Sequence, residues 1–150
     1  MNVRRATIAD LPILVEFTSN EALEAESKPI DSARLEKGIG AALEDNAKAI
    51  YWVLIDEDAK PIGSISALQE WSDWNAGFYW WIQSVYLVPD QRGKGHISKL
   101  IDTVKEEMVR QNGLELRLYV HNVNRRAIRA YEKLSFKQLP YNIMALENDL

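Results

Sequence analysis

The feature that most constrains this chain is a strand that runs into a glycine loop and then into a helix. Phe78–Val88 is nearly continuously apolar, the pattern of a strand buried on both faces at the centre of a sheet. Pro89-Asp90-Gln91-Arg92-Gly93-Lys94-Gly95 follows, and then Ile97, Leu100, Ile101, Val104 and Met108 recur with a helical period. Asn112-Gly113 ends that helix. The two glycines let backbone amides turn toward an anion with no Cβ in the way. The helix start adds unpaired N–H groups and a partial positive charge, and Arg92 and Lys94 add formal charge. Such a segment suits a pyrophosphate. It is neither a P-loop, whose spacing is missing, nor the dinucleotide fingerprint, since only one Gly-x-Gly pair is present. Taken alone, the same residues also suit a tight left-handed turn with solvated cations.

The rest of the chain builds around this unit. A strand is predicted at Val3–Ala6, then a helix with Leu11, Leu14, Val15 and Ala22 on one face. Asp31 or Ser32 caps a second helix that turns Leu35, Ile39 and Leu43 inward. Ile50–Ile55 and Pro61–Leu68, the latter reaching toward Trp71, read as strands joined by the polar turn 56–60. With Phe78–Val88 they make an antiparallel meander. After the glycine-loop helix come a strand at Leu114–Val120, a helix at Asn124–Leu134 and a last strand near Tyr141–Leu146. The order is βααβββαβαβ, an α/β (α+β) class with a mixed sheet. No linker or repeat divides the 150 residues, so one domain over 1–150 is expected.

Composition narrows the chemistry. With no cysteine, thiolate zinc sites, iron–sulfur clusters, disulfide scaffolds and a Cys nucleophile are excluded. No metal site is predicted. The net charge of −4 argues against a nucleic-acid partner. No apolar run has the length of a membrane span, and no signal-like leader opens the sequence, so a soluble cytoplasmic protein is expected.

A second constellation lies downstream. Asn124, Ala127, Tyr131 and Phe136 are spaced so that Asn124 caps a helix and Tyr131 falls seven residues on, along the same face. Read alone, Tyr131 is either a proton donor or a core aromatic with a wet tip. In order, the two segments resemble the GNAT superfamily of acetyl-CoA-dependent N-acyltransferases, and the resemblance covers essentially the whole chain. Val3–Leu11 looks like the family's opening strand and helix, Val85–Gly95 like its central strand and pyrophosphate loop, and Asn124–Phe136 like its later N-x-x-A-x-x-x-Y-x-x-x-x-F pattern. More narrowly, Glu70–Trp74 and Trp80–Tyr86 resemble a bacterial subgroup of that superfamily.

The resemblance implies the GNAT fold, with strand four splayed from strand five, and acetyl-CoA as acyl donor. Strand groups around Val85 and Leu87 would bond pantetheine. Arg92, Gly93, Lys94, Gly95, His96, Ile97 and Ser98 would hold the pyrophosphate. Asn124 would contact the cofactor arm, and Tyr131 would face the sulfur as the acid. The implied activity is direct acetyl transfer to a primary amine of a small-molecule or amino-acid-like acceptor. The alternative is a non-catalytic acyl-CoA-binding or sensing module.

Three departures from the family pattern matter, the mildest being Ser135, which stands where the family often has Gly. Ile97 stands where a small residue is usual. His96, beside it, is expected to face solvent more than phosphate. Gln83 stands where many members carry a Glu, and Gln cannot accept a proton at neutral pH. Candidate bases are therefore Asp73 and Glu24, with Glu26 beside the latter. Adjacent Trp80 and Trp81 must face opposite ways on their strand. Trp71, Asp73, Trp74 and Gln83 are expected to line the acceptor cleft, while a homodimer through the tryptophan loop is the competing use of the same residues.

Overall fold

The computed structural model describes residues 1–148, which fall into two compact units, Met1–Tyr119 and the segment from Val120 onward. In the first unit β1 (Asn2–Arg5) leads through a 3-10 turn at Ile8–Asp10 into α1 (Leu11–Glu26) and α2 (Ser32–Glu44). Then come β2 (Ile50–Ile55), β3 (Pro61–Ser72), β4 (Gly77–Leu87), α3 (His96–Arg110) and β5 (Glu115–Leu118). The sheet order is β1-β2-β3-β4-β5, antiparallel except for the parallel β4–β5 pair. This is the mixed sheet the sequence predicts.

Strand periodicity assigns the layers. Tyr51 and Val53 of β2 pack with Leu14 of α1 and with Ile39 and Ala42 of α2, and Leu68 of β3 joins them. Leu68 pairs with Trp81, so Trp81 shares that face and Trp80 takes the other. There α3 contributes Leu100, Ile101, Val104 and Met108, all buried. The β2 strand is covered on both faces, which is why its sequence runs apolar without alternation. Asn112 ends α3 in the left-handed region (φ +58°), which suits the Asn-Gly stop. Among the described residues no helix is long and apolar enough to cross a membrane.

One part-buried ion pair anchors the entry to α1. Arg4 clamps Asp10 through two bonds of 2.8 and 2.9 Å, and the Thr7 N–H donates to the same carboxylate at 2.8 Å. The Arg4 guanidinium, helped by the Thr7 amide and opposed by burial, holds the Asp10 carboxyl below the usual carboxylate range. A depressed folded-state value stabilises the fold above the unfolded value and loses that contribution as pH falls through the folded one. Asp10→Asn should therefore cost about 2 kcal/mol at pH 7, and the gap to wild type should close in acid. Urea denaturation at neutral pH and again in acid, below the folded-state value, checks this; equal stability at neutral pH would refute it.

In the second unit α4 (Arg125–Lys133) is capped by Asn124, whose Oδ1 accepts from the Ala127 N–H at 3.2 Å. The strand predicted at Tyr141–Leu146 is not formed. These residues have no ladder partner, and Ile143, Met144 and Leu146 are exposed. Apolar alternation makes a strand only where a neighbouring strand satisfies the backbone; here the sheet ends at β5. The strand predicted at Leu114–Val120 shortens to Glu115–Leu118 for the same reason, its ladder with β4 holding only four pairs.

Candidate functional site

The site begins where β4 outruns β5. Their parallel ladder joins Tyr79–Ile82 to Glu115–Leu118 and stops. Between Ile82 and Ser84 the β3–β4 register shifts, leaving Gln83 as the extra residue of a bulge. Beyond it β4 continues to Leu87 with β3 on one side only. The Val88 N–H bonds the Ile62 carbonyl on β3 at 2.9 Å. Backbone polar groups alternate along a strand, so those of Leu87 and Val85 face the opposite edge, which β5 leaves uncovered. The splay implied by the resemblance is thus present in the strand pairing.

Two side chains already meet that edge. The Val85 N–H donates to Glu21 Oε2 at 2.8 Å, and the Ser84 hydroxyl also bonds this carboxylate. Arg92 Nε donates to the Leu87 carbonyl at 2.9 Å, while its Nη2 lies 2.9 Å from each oxygen of Glu24. The same guanidinium stands 5.4 Å over the Tyr86 ring, which packs on Phe17 of α1. Glu21 and Glu24 are three residues apart and so share a helical face. The last turns of α1 are in this way tied to β4 and to the start of the loop.

The loop itself is built for an anion. After a 3-10 turn at Pro89–Gln91, Gly93 and Gly95 take φ of +77° and +82°, a region that glycine enters at no steric cost. A Cβ at either would meet nothing within 4 Å, so the cradle is open. Gly95 is the N-cap of α3 and offers no side chain, leaving the first N–H groups of a 15-residue helix uncapped. Lys94 is exposed beside them, and Ile97 and Ser98 are half-buried on the first turn. His96 corrects the expectation of a solvent-facing residue: it is half-buried, and its Nε2 is buried without a protein partner. A pyrophosphate oxygen fits the open amides at Gly93–Gly95 and the uncapped helix start.

The acceptor-side residues divide. Gln83 lines a cleft of about 250 Å³ together with Leu68, Glu70, Trp81, Ile82 and Tyr119. Trp81 stacks on Tyr119 at 4.5 Å, and Arg117 lies 3.6 Å over Tyr79. Trp71, Asp73 and Trp74 sit elsewhere, at the exposed β3–β4 turn: Trp71 meets Phe78 edge-on at 5.1 Å, and Trp74 is 89% exposed. Of the candidate bases, Glu24 is held by Arg92, while Asp73 and Glu26 are exposed.

Glu21 is a site residue that the sequence candidates omit. Burial pushes its carboxyl up to about 7, with the neighbouring Glu24 adding to the rise and the bonds from Val85 and Ser84 opposing it. Its signal lies in the spacing, because Glu21 continues the buried stripe of Leu14 and Phe17 at helical intervals.

Within the second unit, Tyr131 packs edge-on against Phe136 at 5.7 Å, and the Phe136 N–H bonds the Tyr131 carbonyl at 3.0 Å. Ser135, just past the end of α4, has φ of +74°.

Comparison with known proteins agrees with this architecture. The pattern of the acetyltransferase (GNAT) family matches residues 14–136. A search of curated proteins finds no match. Among solved structures, a possible acetyltransferase from Clostridium difficile 630 is 35% identical, with a TM-score of 0.92 over 98% of this chain and 97% of that one. A predicted acetyltransferase from Clostridium acetobutylicum, solved with acetyl-CoA, is 20% identical, with a TM-score of 0.81 over 97% and 95%. The ribosomal-protein-alanine N-acetyltransferase of Brucella melitensis shares the fold at 18% identity, with a TM-score of 0.77 over 99% and 100%. The family pattern spans most of the sequence and a 35% identical acetyltransferase-like structure matches nearly the whole chain: the chain belongs to the GNAT acetyltransferase family.

Proposed function

We propose that this chain is a cytoplasmic N-acetyltransferase that moves an acetyl group from acetyl-CoA directly to a primary amine of a small-molecule or amino-acid-like acceptor. The observation that carries the reading is the uncovered β4 edge from Val85 to Leu87 running straight into a loop with two left-handed glycines at an uncapped helix start. An extended amide-bearing arm suits the edge, and a pyrophosphate suits the loop. The C. acetobutylicum relative solved with acetyl-CoA supports the choice of donor.

Bound acetyl-CoA supplies the acetyl group as an activated thioester. The chain's residues do the rest. Amides from Gly93 to Ser98, with Lys94 and His96, neutralise the pyrophosphate. Val85 and Leu87 align the arm along β4, and Arg92 holds the Leu87 end of that edge in place. The cleft at Gln83, Glu70, Trp81 and Tyr119 takes the acceptor, Glu70 offering a carboxylate to a cationic amine. Trp71, Asp73 and Trp74 bear on larger acceptors that extend to the β3–β4 turn. Asn124 positions the arm, and Tyr131 gives its hydroxyl proton to the departing sulfur, roles that rest on the family pattern of α4. No protein nucleophile is required, in keeping with a chain that has no cysteine.

Calorimetry with acetyl-CoA, followed by thiol release over a panel of primary amines, tests the reading. Saturable binding with amine-dependent release is expected. Binding without transfer to any amine would favour the sensing module, and no binding would remove the donor assignment. Tyr131→Phe should slow transfer about 100-fold while changing acetyl-CoA affinity less than about twofold. Unaltered turnover would take Tyr131 out of the mechanism.

A further inference from the structure

Glu21 is a half-buried carboxylate without a counter-ion among the described residues. Asp10 has Arg4 and Glu24 has Arg92, but among the described residues no cation pairs with Glu21. It is held instead by the Val85 N–H and the Ser84 hydroxyl at the start of the uncovered edge, just past the bulged Gln83. The charged and titratable groups around it are Glu24 on its own helix, Arg92 engaged with Glu24, and Tyr51 of β2, whose phenol is pushed up by burial and further by Glu21 itself. Keeping a half-buried carboxylate without a counter-ion costs stability, a cost that ion pairs relieve at Asp10 and Glu24 but not here.

We propose that Glu21 is the proton acceptor for the attacking amine, the general base that the central strand, with Gln83, does not supply. The inference rests on the acetyl-transfer reading above. The amine nitrogen forms its bond to the thioester carbonyl carbon as the carbon–sulfur bond breaks, and the electron pair of that bond leaves with sulfur. The proton lost by nitrogen passes to a Glu21 oxygen, and Tyr131 protonates the sulfur. The location of Glu21 suits a base, for it occupies the first outward amide of the edge, at Val85, two residues along β4 from the Gln83 that lines the cleft. When the Val85 N–H turns to a carbonyl oxygen of the docking donor, Glu21 loses a donor that favours its ionised form, and its proton affinity rises where the amine arrives. Its resting value of about 7 already places it in the working range of a base.

The test compares wild type with Glu21→Gln, which keeps an oxygen for the Val85 amide. Acetyl-CoA is titrated calorimetrically at pH 7 in phosphate and in Tris, whose ionisation heats differ. Wild type should take up a fraction of a proton on binding; Glu21→Gln should bind with similar affinity and take up none. With lysine amide and ethylamine as acceptors, wild-type kcat/KM should climb with pH along a limb at or above 7. Glu21→Gln should be slower by about 100-fold or more and should lack that limb. Glu21→Asp should restore the limb in part. The folded-state value of Glu21 is raised, so its burial costs more stability as pH rises from the ordinary carboxylate range to about 7; Glu21→Gln should accordingly be at least as stable as wild type at pH 8. A Glu21→Gln variant that binds acetyl-CoA and keeps the wild-type limb would overturn the assignment while leaving acetyl transfer intact. Failure of wild type to bind acetyl-CoA would instead bring down the transfer reading, and this assignment with it.

Discussion

Arg92→Glu is expected to weaken acetyl-CoA binding by at least about 100-fold, a loss of about 2.7 kcal/mol. Three effects act in the same direction. The Leu87 carbonyl loses its Nε donor, so the edge that aligns the arm is no longer fixed. The new carboxylate faces Glu24, which now binds the guanidinium through both oxygens, and repulsion drives the end of α1 away from β4. A negative charge also enters next to amides arranged for an anion. Folding should suffer far less, because the Arg92–Glu24 pair is nearly half exposed and such pairs contribute about 1 kcal/mol or less. Lys94→Glu changes charge equally but breaks no bond to β4, so it should weaken binding several-fold less than Arg92→Glu. Calorimetry on both variants separates the cases. Equal losses would mean that only net charge matters, and retained affinity in Arg92→Glu would remove the loop from the donor site.

Arg92 also shows how far the sequence can be read. Its place in a glycine loop is legible, because positive-φ turns and helix starts leave local marks in the residues that form them. Its engagement with Glu24 is not, since the two lie 68 positions apart and only the packing of α1 against β4 brings them together. Glu21 is the harder case. Three-residue spacing from Glu24 and the line through Leu14 and Phe17 put it on the buried face, yet a carboxylate on an apolar stripe reads as an interruption until an amide is found for it. Gln83 misleads in the opposite sense, drawing attention to the central strand and away from the helix beside it. The stretch Tyr141–Leu146 has the alternation of a strand, but alternation records a face and not a partner, and here the ladder ends at β5. The helix position of His96 points it to solvent, whereas the burial of Nε2 depends on groups that sequence spacing does not reveal.

Trp80→Ala should destabilise the protein by about 3–5 kcal/mol, the usual range for deleting a buried aromatic. Trp80 is 0% exposed and is the largest fully buried side chain. Gly113 approaches it so closely that a Cβ there would lie 2.8 Å from the indole Cδ1 and Nε1 and would also collide with Met108. A cavity at this point is lined by the end of α3 and the β4 backbone, both fixed by other contacts, so collapse would recover little of the loss. Trp81→Ala removes a side chain of the same size from the other face, where it is half-buried and stacks on Tyr119; about 1 kcal/mol is expected there. Trp80→Phe lies between, because the buried Nε1 has no partner and its removal offsets part of the lost volume. Urea denaturation of the three variants gives the order, and equal costs for Trp80→Ala and Trp81→Ala would contradict the assignment of faces. The functional effects should run the opposite way. Trp80→Ala acts through the folded fraction, so under conditions where it is folded its acetyl-CoA affinity should stay within about threefold of wild type. Trp81→Ala opens the cleft at Gln83 and Tyr119, so its loss should fall on the KM for the amine. Two neighbouring tryptophans would then be separated by the period of a strand, one holding the sheet to its helix and the other shaping the acceptor cleft.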